Sequence, residues 1–142
     1  MISVQQLLQR KGGDVFSIDA ELPVLEAIRL MADHHVGALV VMKEGEMVGI
    51  VSERDYARKV VLHGRSSSET PVWQIMSAPV ETVAPATTVA DCMRRMTEKR
   101  IRHLPVLRGE RVIGVVSIGD LVKAVIEEQQ QTIEQLETYI RS

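Results

Sequence analysis

Two short motifs in this chain carry the residue types that could do chemistry, Ser52-x-x-Asp55 and Ser117-x-x-Asp120. Each follows an aliphatic run that reads as a strand and precedes a segment that reads as a helix. At such a junction a Ser at the N-cap accepts the amide of the residue three positions on, and an Asp there reaches back, which makes a capping box. The same geometry has a second use. A helix start offers N–H groups and positive dipole to a phosphate, and a carboxylate offers two acceptor oxygens that fit the paired hydroxyls of a ribose. Arg54, Arg102 and His103 are the candidates for phosphate contact, because a guanidinium donates two parallel bonds. Ile18, Ala38, Val83 and Pro105 are placed to line an apolar wall, or equally to fill a sheet core.

The elements that position these residues occur twice. Shifted by 65 residues, as from Val15 to Val80, the sequence matches itself without a gap to Val61. Val24/Val89, Arg29/Arg94, Met31/Met96, Leu39/Leu104, Val41/Val106, Gly49/Gly114, Val51/Val116, Ser52/Ser117 and Asp55/Asp120 are among the identities. A repeat is therefore the primary structural fact. Each copy reads β-α-β-β-α. Strands Val15-Ile18 and Val80-Val83 open the copies. Helices follow, with Val24, Ile28 and Met31, and Val89, Met93 and Met96, on one face. Pro23 suits a first helical turn, and Thr88 with Asp91 reads as a capping box. Hairpins Ala38-Met42/Met47-Val51 and His103-Leu107/Val112-Val116 turn at short polar stretches containing Gly. A last helix begins near Glu53 and near Ile118. The fold class is thus α/β (α+β), with a first domain over 1–63, a linker over 64–71, a second domain over 72–126 and a C-terminal helix over 127–142. A copy of about fifty residues is marginal alone, so the two sheets are expected to pack on each other.

The run Gly49-Ile50-Val51-Ser52-Glu53-Arg54-Asp55, its second copy Gly114-Val115-Val116-Ser117-Ile118-Gly119-Asp120 and the strand Ile101-Arg102-His103-Leu104-Pro105-Val106 resemble the CBS domain, the module named after cystathionine β-synthase. The resemblance extends from Val4 to about Ile126 and is to stand-alone bacterial pairs. It implies two clefts per pair related by a pseudo two-fold axis, with AMP, ADP, ATP, NAD(H) or S-adenosylmethionine as regulatory ligands, and pairs that stack into a homodimer. Ile18, Ala38, Val83 and Pro105 would then face an adenine ring. Ser52, Asp55, Ser117 and Asp120 would meet ribose and phosphate, and Arg54 would reach across the shared groove toward Arg102 and His103. The two clefts cannot be chemically equal: Arg102-His103 stands where the first copy has Gly37-Ala38, and Gly119 stands where it has Arg54.

The bulk composition narrows the rest. The net charge of −2, from 17 Lys+Arg against 19 Asp+Glu, supplies no basic field for DNA. Trp73, Phe16, Tyr56 and Tyr139 are too few aromatics for a base-stacking platform. Cys92 is the single cysteine and corresponds to Ala27, so it reads as a small buried hydrophobe. His34-His35 reads as a helix end rather than a metal site. No nucleophile-base pair or nucleotide-binding glycine loop of the Walker or dinucleotide type is present, so a non-enzymatic role is expected. The apolar runs are too short to span a bilayer and the start lacks a signal-peptide core, which predicts a cytoplasmic protein that signals to a regulated partner. An interaction scaffold with empty clefts is the alternative. In the tail, Ile126, Ile133 and Ile140 recur at seven with Leu136 between them, a stripe suited to packing on the body or on a second subunit.

Overall fold

The computed structural model describes residues 1–141. They form two compact units, one of residues 15–81 and one of residues 1–14 with the described residues from 82 onward. In order along the chain, the elements are α1 (Val4–Lys11), β1 (Ser17–Asp19), α2 (Val24–His34), β2 (Ala38–Lys43), β3 (Glu46–Ser52), α3 (Glu53–Tyr56), α4 (Val89–Lys99), β4 (His103–Arg108), β5 (Arg111–Ser117) and α5 (Ile118–Arg141). A π-helical turn, Ala57–Val61, continues α3, and Val72–Gln74 form one 3-10 turn.

The unit of residues 15–81 contains a three-stranded sheet. β1 runs parallel to β2, and β2 pairs antiparallel with β3 through a two-residue turn at Glu44-Gly45. Alternate strand residues Leu39, Val41 and Val51 meet Val24, Ala27 and Met31 of α2 in one core. These are the residues that a strand period of two and a helix period of 3.6 bring to one face. Pro23 is the N-cap of α2 rather than part of its first turn. His34 stacks on Phe16 with ring centroids 4.0 Å apart, and His35 ends α2 in the left-handed conformation.

The other unit repeats this plan, but its sheet has two strands, β4 paired antiparallel with β5. The strand expected at Val80-Val83 shrinks to a single parallel bridge from Val83 to Val106. Pro105 is the reason. In the first copy the matching Val40 N–H donates to Phe16 O at 3.2 Å, and proline has no N–H to offer. The bonds that do not need that donor persist: Val83 N–H to Pro105 O at 3.1 Å, and Leu107 N–H to Val83 O at 2.9 Å. Thr88 caps α4 by accepting the Asp91 amide, but the Asp91 carboxylate turns to Arg94 and Arg95, so the box is half made. Cys92 is fully buried, and burial pushes its thiol pKa up against the pull of Arg95.

The units interleave along the chain. Each is completed by the segment that leads into the other repeat. In one unit Val4 N–H bonds Thr87 O at 2.8 Å and Val89 N–H bonds Ile2 O at 2.9 Å. In the other, Val72 N–H bonds Leu22 O at 2.9 Å and Val24 N–H bonds Thr70 O at 2.8 Å. The lead-in segments are themselves alike: Val4/Val72, Gln6/Gln74, Leu7/Ile75 and Leu8/Met76. Each lays a side chain on the glycine of the second hairpin strand. A Cβ at Gly114 would stand 2.7 Å from Leu8 Cδ2, and one at Gly49 would stand 2.4 Å from Met76 Sδ. Glycine is what lets the lead-in approach the sheet. Finally, α5 continues without a break from Ile118 to Arg141, so the segment 127–142 is not a helix of its own as far as it is described.

Candidate functional site

Both Ser-x-x-Asp motifs form complete capping boxes at a strand-helix junction. Asp55 N–H donates to Ser52 Oγ at 3.1 Å, and Ser52 N–H returns to Asp55 Oδ2 at 3.0 Å. Asp120 N–H donates to Ser117 Oγ at 3.1 Å, and Ser117 N–H returns to Asp120 Oδ2 at 2.8 Å. The adjacent strand completes the seal. Glu53 N–H bonds Gly37 O at 3.0 Å, and Ile118 N–H bonds Arg102 O at 2.9 Å. The helix starts are therefore less generous to an anion than their position suggests. At α5, three of the first amides are already used, and the cap leaves out only that of Gly119. Gly119 has no side chain to obstruct it, and a Cβ there would meet only Ser117 Oγ, at 3.6 Å.

The hairpins bring the other candidates to these caps. Ala38 lies opposite Ser52, and His103 opposite Ser117, as direct cross-strand partners. Arg102 is exposed just before β4, while Arg54 and His103 are half-buried. Ile18, Ala38, Val83 and Pro105 are all buried. Ile18 and Val83 belong to the two hydrophobic cores, where their chief role is packing.

The two carboxylates differ in their surroundings. Asp55 Oδ2 also accepts Ser52 Oγ–H at 3.0 Å, while Oδ1 faces Lys59 Nζ at 3.1 Å and Ser77 Oγ at 3.4 Å. Lys59 also donates to Ile75 O at 2.9 Å. Asp120 Oδ2 instead receives Lys11 Nζ at 2.5 Å. Burial raises the Asp120 pKa, but the bonds from Lys11 and Ser117 outweigh it and hold the carboxyl below its ordinary value. Lys11, Lys59 and Ser77 were not among the candidates named from the sequence. Lys59 stands four residues after Asp55, a helical spacing that could have identified it. Lys11 has no such signal. Among the described residues, no group of three or more His, Cys, Asp or Glu side chains could hold a metal ion.

Comparison with known proteins decides the family. The family model of the CBS domain matches residues 4–62 and again 72–127. The chain belongs to the CBS domain family. As a tandem CBS pair it is a module of the regulatory type. It is 46% identical over 123 residues to the mitochondrial CBS domain-containing protein CBSX3 of Arabidopsis thaliana, with 83% of this chain covered. The match spans 60% of that relative's length. Among solved structures, a protein with CBS domains from Burkholderia ambifaria is 48% identical with a TM-score of 0.86, covering 89% of this chain and 96% of that one. A hexameric CBS-CP12 protein from bloom-forming cyanobacteria is 28% identical with a TM-score of 0.78, covering 86% and 70% of the two chains.

Proposed function

We propose that this CBS pair is a regulatory sensor whose Ser-x-x-Asp sites bind an adenosine derivative, AMP, ADP, ATP or NAD(H), and pass the occupancy to a partner protein. The observation that carries the reading is the duplication of one polar arrangement, a Ser-Asp box at the mouth of a hairpin, in a family of regulatory modules. The role is binding rather than catalysis, because the Ser hydroxyls and Asp carboxylates of both boxes are engaged in capping the helix starts. The cytoplasm, where adenine nucleotides circulate, is the setting this reading favours. No described helix is long and apolar enough to cross a membrane. Mass spectrometry of small molecules released from the purified chain tests the reading. An adenosine compound at stoichiometric level supports it; a different ligand class at that level overturns it.

Arg102 is assigned to phosphate. Its carbonyl seals α5, and it is exposed one residue before His103, the cross-strand partner of Ser117, so a guanidinium is available without disturbing the core. Arg102→Ala should weaken AMP by about tenfold, the scale of one charge-assisted hydrogen bond, and barely change adenosine. Salt should reduce the difference. Equal losses for both ligands in calorimetric titration would show that Arg102 shapes the site instead.

Assembly as a homodimer through α5 is part of the same proposal. Val122, Ile126, Ile133, Leu136 and Ile140 are exposed by 41–80% along one helix. Their spacing places Ile at one heptad position and Val or Leu at the other, the pattern of two-stranded packing, with Gln129 as the polar exception. Truncation after Glu127 should shift the chain from dimer to monomer in sedimentation at micromolar concentration. A full-length chain that is monomeric at high micromolar concentration would contradict this. The same stripe is what favours a scaffold role as the second reading.

A further inference from the structure

Asp120 carries a lysine from a remote part of the chain, and Asp55 does not. Lys11 closes α1, which the buried side chains of Val4, Leu7 and Leu8 hold in the same unit as Asp120. The last turn of α1 lies along the start of α5, with Lys11 Nζ 2.5 Å from Asp120 Oδ2 and Arg10 Nη1 3.6 Å from Glu127 Oε2. Lys11 and Asp120 share a hollow of about 110 Å³ with Ile2, Leu7 and Lys123. At Asp55 the donors are local: Lys59, four residues on in the same helical run, meets Oδ1, and Oδ2 accepts Ser52 N–H and Ser52 Oγ–H, a hydroxyl that can rotate to another acceptor where an ion-paired ammonium must be displaced.

The oxygen that Lys11 takes is the one the cap already uses. Asp120 Oδ2 accepts Ser117 N–H at 2.8 Å as well as the Lys11 ammonium. A carboxylate oxygen has about two lone-pair sites, so Oδ2 is filled. A vicinal diol that places one hydroxyl on each oxygen cannot settle there while Lys11 stays. An incoming phosphate would offer the displaced ammonium a new partner; an uncharged nucleoside would not.

We infer that Lys11 is a displaceable gate on the carboxylate of the second repeat, selecting phosphorylated adenosine ligands over the bare nucleoside at that site. The inference rests on the adenosine reading above. It deepens that reading by assigning selectivity to α1, an element outside the repeated motif.

The test uses the full chain carrying Asp55→Ala, so that the Asp120 site is followed alone, with adenosine and AMP as probes in calorimetric titration. Adding Lys11→Met should tighten adenosine by about fivefold, the scale of a partly exposed ion pair, and should narrow the preference for AMP over adenosine. Lys11→Arg, which keeps the ion pair, should leave adenosine as it was. Adenosine binding that Lys11→Met leaves unchanged or weakens would overturn the gate while the adenosine reading stands. Failure of both probes to bind any of the chains would retire the adenosine reading and the gate together.

Discussion

Leu8→Ala should destabilise the unit built from the second repeat by about 2–5 kcal/mol, the range for truncating a large aliphatic in a packed core. Residue 8 precedes the first repeat in sequence, yet its side chain is buried among Val83, Leu104, Val116 and Leu121. It sits on Gly114, where even one added carbon would collide with it. Removing its methyl groups leaves a void against a glycine, which has no side chain to relax into it. Urea unfolding should show a lower midpoint at unchanged slope. Gln9→Ala, one residue along on the exposed side of the same helix, should stay within about 0.5 kcal/mol. If the two variants behave alike, α1 is not part of that core.

The second large effect is stabilisation by ligand. An adenosine derivative at 100 times its Kd should add about 2.7 kcal/mol to the unit that binds it, which for a domain of roughly 60–100 residues raises Tm by roughly 11–22 °C. The increment follows from linkage and does not depend on which contact dominates, provided the unfolded chain does not bind. Melts in AMP, ATP, NAD and S-adenosylmethionine should therefore rank the ligands by affinity. The Asp120 carboxyl, held below its ordinary value, adds to stability toward the acid side. Its contribution is complete above the unfolded-state pKa and is lost as pH falls through the lower folded value.

The repeats, hairpins, long helices and both Ser-Asp boxes were legible because each has a strong local signal. Val24, Ile28 and Met31 share a helix face, and Ser and Asp three apart cap a helix wherever a strand ends before one. The exchange of lead-in segments was not legible at the offset that defines the repeat. Val4-Gln5-Gln6-Leu7-Leu8 matches Val72-Trp73-Gln74-Ile75-Met76 at a spacing of 68, against 65 for the body of the repeat (72 − 4 and 80 − 15), so an ungapped match skips it. That omission also hid Lys11, whose partner lies 109 residues away. The missing strand in the second repeat was readable in principle. Pro105 removes a ladder donor where Val40 supplies one, and the cost of proline inside a sheet is known from sequence alone. The tail is helical in composition, but nothing in it marks Ile126 as a boundary, and α5 has none there.

The central claim is that the two Ser-Asp boxes are ligand sites of unequal chemistry, beyond their role as helix caps. Calorimetric titration of AMP into the wild-type chain, Asp55→Ala and Asp120→Ala tests it most directly. Loss of a carboxylate that holds a ribose diol costs about 1.5–3 kcal/mol, so each variant should lose or weaken one site by tenfold or more. The surviving sites should differ in affinity, since Asp55 faces Lys59 and Ser77 where Asp120 faces Lys11. If both variants, still folded by their melts, bind AMP as the wild type does, the two Asp residues are caps and the ligand site lies elsewhere.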